Sequence, residues 1–276
     1  MSNDSFDGLV PLREIVSNFD LAAQKSLGQN FLMDMNLTYR IARTAGDLSK
    51  INVIEIGPGP GGLTRAILKC GAKKVISIER DERCIDALRY ISDEFPDRFQ
   101  LIHGDALEQD IIKLAPAPRR IMANLPYNVA TPLLISWLKR AKEFEGMTLM
   151  FQKEVADRLV AKPRTKAYGR LSVMTGWLCE VKCEFNIDPK AFTPAPKVIS
   201  TVVTLKPRAQ PLASASWNAM EHVVATAFGQ RRKMLRQSLK PLELDLASLG
   251  ISETSRAEEL EVEDFAKLAR AFAEKT

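Results

Sequence analysis

The sequence predicts an α/β fold, a seven-strand and mainly parallel sheet with helices on both faces, followed by a small all-helical domain. Three observations predict it. From about residue 50 to 206, short apolar runs bounded by Gly, Pro, Asn and Asp alternate with stretches of helical periodicity. The run Val53-Ile54-Glu55-Ile56 enters the turn Gly57-Pro58-Gly59-Pro60-Gly61-Gly62 and then a helix start at Leu63, the strand–turn–helix unit from which parallel sheets are built. After the Pro-, Ala- and Ser-rich stretch from Pro207 to Ser216, apolar residues recur at helical spacing.

In chain order, residues 1–21 read as an N-terminal extension. Met1-Ser2-Asn3-Asp4 is polar and acidic, with no apolar core of a secretion signal. Residues 22–206 hold the sheet. Helices are expected near 34–45, 63–70, 81–91, 131–140 and 152–160, and strands near 52–56, 74–78, 99–103, 120–123 and 147–151. Two last strands, near 178–187 and 198–205, flank Ile187-Asp188-Pro189 and the loop at Phe192, and read as a hairpin-like pair at one sheet edge. Residues 207–276 read as a helical domain, on the spacing of Trp217, Met220, Val223-Val224 and Ala227-Phe228, then Leu235 and Leu239, then Leu260, Phe265, Leu268 and Phe272.

Candidate chemistry sits where the strands end. Gly57 and Gly59 let the backbone approach a ligand closely. Their spacing is Gly-x-Gly-x-Gly-Gly rather than the Gly-x-Gly-x-x-Gly of a dinucleotide site, and two prolines stiffen the turn. Glu79 ends the strand after Lys74, about 20 residues beyond the glycines, where a carboxylate accepts both hydroxyls of a ribose. Asp105 ends the next strand and can accept from an adenine amino group. These three strand ends describe an adenosine pocket without phosphate-binding features. Asn124-Leu125-Pro126-Tyr127 leaves the strand Arg120-Ile121-Met122-Ala123. The Asn124 side-chain oxygen and the Leu125 carbonyl can each accept a hydrogen bond from an amino group on a flat ring. Pro126 fixes the turn, and Tyr127 offers a face for a base to stack on.

Four motifs now stand in order: Lys25-Ser26-Leu27-Gly28-Gln29-Asn30-Phe31-Leu32, Glu55-Ile56-Gly57-Pro58-Gly59, Asn124-Leu125-Pro126-Tyr127, and Phe192-Thr193-Pro194-Ala195-Pro196-Lys197-Val198. Together they resemble the ribosomal RNA adenine N6-dimethyltransferases, from about residue 22 to the C-terminus, and the small-subunit branch more than the Erm-type large-subunit branch. The resemblance implies a Rossmann-like class I methyltransferase sheet with S-adenosylmethionine as cofactor. It implies dimethylation of N6 on two adjacent adenosines in the 3′-terminal hairpin loop of small-subunit (16S) rRNA during ribosome biogenesis. The partner would be the small ribosomal subunit or its precursor, and the protein a cytoplasmic monomer. It also places Asn30 and the Leu32 backbone on the methionine end of the cofactor, and makes the Phe192 loop close over the target base.

The composition fits a polyanionic partner. The chain has 276 residues, 46% of them apolar, enough for a large domain and a small one, and a net charge of +5. The charge is uneven. Between Gln152 and Arg170 lie Lys153, Arg158, Lys162, Arg164, Lys166 and Arg170 against two acids, and between Gln230 and Lys240 lie Arg231, Arg232, Lys233, Arg236 and Lys240 with no acid. From these, Lys153, Arg158, Arg164, Arg231, Arg232 and Lys233, with Lys197 after the Phe192 loop, are the candidate RNA contacts. No stretch approaches the length of a membrane helix. Cys70, Cys84, Cys179 and Cys183, with His103 and His222, form no metal-ligand pattern, so no metal is expected and the thiols read as reduced. Four other readings fit parts of the pattern. An Erm-type methyltransferase shares closely similar motifs; a DNA adenine methyltransferase would carry Asp or Asn-Pro-Pro-Tyr. A non-catalytic RNA-binding module on this fold, like mitochondrial transcription factor B, would not need the methyl-donor pocket and Asn124. A nicotinamide dehydrogenase would need a phosphate-cradling loop.

Overall fold

The computed structural model of the chain describes residues 8–21, 23–24 and 28–275; the first seven residues of the extension and Lys25, Ser26 and Leu27 of the first motif lie outside the described residues. The chain opens with helix α1 (Leu12–Asn18), strand β1 (Phe31–Leu32) and helix α2 (Met35–Arg43). Asp34 starts α2 by accepting from the backbone N–H groups of Asn36 and Leu37. The alternating units follow: β2 (Asn52–Ile56), α3 (Gly62–Lys69), β3 (Lys74–Glu79), α4 (Glu82–Glu94), β4 (Phe99–His103), α5 (Ile111–Leu114), β5 (Arg119–Ala123), α6 (Tyr127–Leu138), β6 (Gly146–Gln152) and α7 (Lys153–Leu159). Next come α8 (Arg170–Leu178), β7 (Cys179–Ile187), β8 (Phe192–Thr193) and β9 (Ser200–Pro207). The chain ends with α9 (Trp217–Gly229), α10 (Leu235–Ser238) and α11 (Val262–Lys275).

Seven strands form one sheet in the order β4-β3-β2-β5-β6-β9-β7. The pairs from β4 to β6 are parallel, and β9 runs antiparallel to β6. Every residue of β2 is buried, as a central strand covered on both faces requires. Successive strands step outward from β2 through β3 to β4, and the next strand, β5, returns to the other side of β2. That reversal opens a crevice beyond the carboxyl ends of β2 and β5.

The expected strands and the paired β7 and β9 at the sheet edge are all present. Three features differ from expectation. Helix α6 begins at Tyr127, not near 131, because Pro126 is its N-cap, with ψ 133° and a carbonyl that accepts from the N–H groups of Val129 and Ala130. Residues 8–21, expected only as an extension, contribute buried Leu9, Leu12, Ile15 and Leu21, and Ile15 and Leu21 join the core beneath the sheet. The third concerns the domain boundary. One compact unit runs to Lys153 and resumes over Cys183–Lys206; the other takes Glu154–Lys182 together with the chain from Pro207 onward. The boundary expected at 207 therefore misses an excursion. Its cause is apolar: Tyr168, Val173, Met174 and Trp177 bury themselves with Met220, Val223, Leu235, Phe265 and Leu268 in a separate core. Among the described residues no helix is long and apolar enough to cross a membrane.

Candidate active site

A cavity of about 330 Å³ lies beyond the carboxyl ends of β2, β3, β4 and β5, large enough for a nucleoside-sized ligand. Gly57 and Gly59 line it from β2, Glu79 and Asp81 from β3, Asp105 from β4, and Asn124, Leu125, Pro126 and Tyr127 from β5. Asn30 and Leu32 line it from the segment around β1. The structure thus brings together every residue that the sequence assigned to cofactor binding.

The glycine turn is shaped by its neighbour. Gly59 has φ +56°, and a Cβ there would meet the Phe31 ring at 3.1 Å. Its backbone N–H donates to Glu79 Oε2 at 2.9 Å, while Glu79 Oε1 accepts from the N–H groups of Arg80 and Asp81, both at 2.8 Å. Glu79 therefore ties the β2 and β3 turns together before any ligand contact. Three of its roughly four acceptor positions are occupied, so a ribose must share Oε2 with Gly59. Burial pushes the Glu79 carboxyl above the usual range, against the pull of these three backbone donors. Asp105 accepts from Leu107 N at 2.9 Å and pairs with Arg80 at 3.3 Å.

The segment Gln29–Leu32 acts as a strap over four loops. Gln29 Nε2 donates to Asp81 Oδ2 at 2.8 Å. The Asn30 carbonyl accepts from Asn124 Nδ2 at 3.2 Å. Phe31 presses on Gly59, and the Leu32 carbonyl lies 2.9 Å from where a Cβ on Gly62 would stand. Phe31 and Leu32 pair antiparallel with Thr193 and Phe192. Sequence reasoning missed Gln29 and Asp81; the only available signal was that Asp81 stands at a helix start two residues after Glu79. The Asn124 bond matters most chemically. With its NH2 committed to a carbonyl, its oxygen is left as the acceptor.

Phe192 departs from expectation. It is buried, 4% exposed, in the apolar core with Phe31, Leu32 and Ile187, and is absent from the cavity wall, because β1–β8 pairing turns it inward. Tyr127 does line the cavity, its hydroxyl held by Ser200 Oγ at 2.7 Å, and burial raises its pKa.

Charge complementarity limits the ligand. Among the described residues Glu79, Asp81 and Asp105 line the cavity, with Glu55 buried behind them; Asp81 pairs with Arg83 at 2.6 Å and Asp105 with Arg80 at 3.3 Å, so Glu79 is the carboxylate whose charge no ion pair offsets. Such a wall suits a phosphate-free ligand carrying positive charge, and S-adenosylmethionine, with its sulfonium and ammonium groups, fits it. Glu55 itself is sealed off: Oε2 accepts from Thr64 and Ser77, each at 2.7 Å, and Oε1 takes no protein hydrogen bond. Burial drives its carboxyl up to about 7 from 4.5. In that window the folded state holds the proton more tightly, so stability falls as pH rises from about 4.5 to about 7. Glu55→Gln, neutral throughout, should match the parent near pH 4 and exceed it at pH 8 by roughly 1–3 kcal/mol. Urea unfolding at the two pH values measures this; an equal difference at both would mean that ionisation of Glu55 plays no part.

The candidate RNA contacts lie in both units. Lys153 and Lys197 are exposed in the first, and Arg164, Arg232 and Lys233 are exposed in the second. Arg158 pairs with Glu154 one helical turn away, an exposed pair of little strength. Arg231 is engaged in a different way: its guanidinium bonds Glu258 and the Lys166 carbonyl, both at 2.7 Å.

Comparison with known proteins decides the family. The family model for ribosomal RNA adenine dimethylase matches residues 21–274. The chain belongs to this family. It is an rRNA adenine dimethyltransferase, and S-adenosylmethionine is its methyl donor. It is 60% identical to the ribosomal RNA small subunit methyltransferase A of Rhodospirillum rubrum, over 96% of this chain and 93% of that one. The protein of the same description from Paramagnetospirillum magneticum is 58% identical, over 97% and 96%. Among solved structures, a dimethyladenosine transferase from Plasmodium falciparum superposes with a TM-score of 0.77 at 26% identity, covering 89% of this chain and 98% of that one. The 23S rRNA methyltransferase ErmE gives 0.66 at 29% identity, over 88% and 100%. These matches support the class I methyltransferase sheet with C-terminal helices.

Proposed function

We propose that this dimethyltransferase modifies two adjacent adenosines in the 3′-terminal hairpin loop of small-subunit (16S) rRNA, as a cytoplasmic monomer acting during ribosome biogenesis. The preference for the small subunit rests on full-length relatives at 54–60% identity described as small subunit methyltransferase A. The large-subunit enzyme ErmE reaches only 29%.

The observation that carries the site assignment is the Asn30 carbonyl on Asn124 Nδ2. It orients Asn124 so that its Oδ1 and the Leu125 carbonyl receive the two N–H groups of the target adenine. Those bonds strengthen as positive charge grows on N6, so they favour the transition state over the ground state. Tyr127, fixed by Ser200, stacks against the base. Glu79 accepts from the cofactor ribose, Asp105 from its adenine, and Asn30 and Leu32 hold its methionine end, with Gly57 and Gly59 allowing close approach. When bound, the cofactor supplies a methyl group already activated on sulfonium, so the protein contributes geometry rather than a strong base. Phe192 can stack on the base only if the β1–β8 loop shifts to release it from the core. In the second transfer the monomethyl nitrogen has one N–H left, so one of the two acceptor bonds is dispensable. Lys153, Arg164, Lys197, Arg232 and Lys233, with Arg158 once freed from Glu154, meet the RNA backbone.

The test is mass analysis of nuclease digests after incubating unmethylated small subunits with protein and cofactor. N6,N6-dimethyladenosine at two adjacent positions is the expected product. Modification of large-subunit RNA instead, or monomethyl product alone, would overturn the reading.

A further inference from the structure

We infer that Arg231 does not grip RNA itself but, with Glu258, clasps the Lys162–Tyr168 loop so that cations from two distant stretches of chain form one surface for a phosphate backbone. The inference rests on the small-subunit rRNA reading above and assigns a positioning residue within it. All the residues concerned belong to the second compact unit.

The clasp has two ends. Arg231 Nε donates to Glu258 Oε2 at 2.7 Å, and its Nη2 donates to the carbonyls of Lys166 at 2.7 Å and Thr165 at 3.4 Å. The Glu258 backbone carbonyl accepts from Arg164 N at 2.7 Å. Glu258 thus holds the loop directly through its backbone and indirectly through Arg231. The loop is closed further by Thr165 Oγ1 on the Lys162 carbonyl at 2.6 Å, and by the buried Tyr168, whose hydroxyl donates to the Leu260 carbonyl at 2.9 Å. Arg164 sits at φ +66°, a left-handed conformation that a side-chain-bearing residue keeps only where its surroundings over-determine it.

The second basic stretch is anchored on the same strip of chain. Leu235 N donates to the Ser255 carbonyl at 2.7 Å, Arg236 N to the Glu253 carbonyl at 3.1 Å, and Met234 bridges to Arg256. Residues 253–260 are therefore a common support for both basic segments. Lys162, Arg164 and Lys166 project from one, Arg232 and Lys233 from the other; all are exposed, and none is in an ion pair among the described residues. Arg231 differs from all five. Its charge is met by Glu258, and its Nε and Nη2 donors face Glu258 and the Thr165 and Lys166 carbonyls, so the Nη1 edge alone is left for a phosphate oxygen. An RNA backbone is read by the spacing of cations as well as by their number, and here spacing depends on the clasp.

The acid makes the test sharp. If Glu258 were only a negative charge near an RNA surface, removing it would tighten RNA binding. The clasp predicts the reverse. In binding titrations of small subunits against salt, Glu258→Ala should weaken affinity by about three- to tenfold, the effect of misplacing one or two phosphate contacts. Glu258→Gln, whose amide oxygen still accepts from Arg231, should stay within about twofold of the parent. Arg231→Lys keeps the charge but loses the fork, and should fall with Glu258→Ala; should that variant fail to fold, the lysine substitution still decides. Calorimetric affinity for S-adenosylmethionine, which belongs to the other unit, should not move in any of them. Unchanged or tighter RNA binding by Glu258→Ala, or parental binding by Arg231→Lys, would overturn the clasp. Failure of the parent protein to bind or dimethylate small subunits would overturn the functional reading, and the clasp with it.

Discussion

Replacing Asn124 by Ala should lower the single-turnover rate of methyl transfer by about 10²–10³-fold, the loss seen when one aligned polar group is removed from a developing charge. RNA affinity should stay near the parental value. Cofactor affinity should fall by only about 0.5–1.5 kcal/mol, because the Asn124–Asn30 bond at 3.2 Å also steadies the strap. Asn124→Asp separates acceptor from orientation. A carboxylate is the better acceptor for N6–H, but it has no N–H for the Asn30 carbonyl, and two oxygens would face each other across that gap. It should therefore lose activity as well. Parental rates in Asn124→Asp would show that the carbonyl does not set the orientation. Full turnover in Asn124→Ala would remove Asn124 from the chemistry.

Much of this site was legible because it lies at strand ends, and strand ends are what hydrophobic periodicity locates. Glu79, Asp105 and Asn124 each follow a short apolar run, and parallel order places their tips side by side. What stayed hidden depends on contacts far apart in sequence. No local pattern shows that Gln29 reaches Asp81, or that Phe31 and Leu32 pair with Thr193 and Phe192. That pairing is why Phe192, which the family resemblance casts as a stacking residue, is found in the core. The excursion over Glu154–Lys182 was hidden for the same reason, since Trp177 bonds Ala213, 36 residues downstream, and Tyr168 bonds Leu260, 92 residues downstream. Helix α1 is a different case. Leu9, Leu12 and Ile15 recur at a helical spacing that could have been read, but they precede the stretch that resembles the family. Arg231 shows the limit of charge counting: its neighbours Arg232 and Lys233 look the same in sequence, and only geometry separates a clasp from a contact.

Replacing Glu79 by Ala should weaken S-adenosylmethionine binding by about 1.5–3 kcal/mol, since a charged acceptor for the ribose is removed from a buried position. The structure adds a second cause. The N–H groups of Gly59, Arg80 and Asp81 all end on this carboxylate, so the variant also frees the glycine turn and the start of α4. Glu79→Gln tells the two apart. One amide oxygen can keep the Arg80 and Asp81 bonds, but an NH2 would then confront Gly59 N–H and could no longer accept from a ribose hydroxyl. Cofactor loss close to that of Ala would indicate the ribose and Gly59 side; near-parental binding would leave Glu79 a purely structural tie. A pH series gives an independent check. Burial holds this carboxyl above its ordinary 4.5, and ribose hydroxyls bind the ionised form better. Cofactor affinity in the parent should therefore be full at neutral pH and decline as pH falls through the raised value. In Glu79→Gln, where nothing titrates at that position, this part of the decline should vanish. Calorimetry from pH 8 down to 5 measures both curves, and parallel curves for parent and variant would remove Glu79 from the cofactor site.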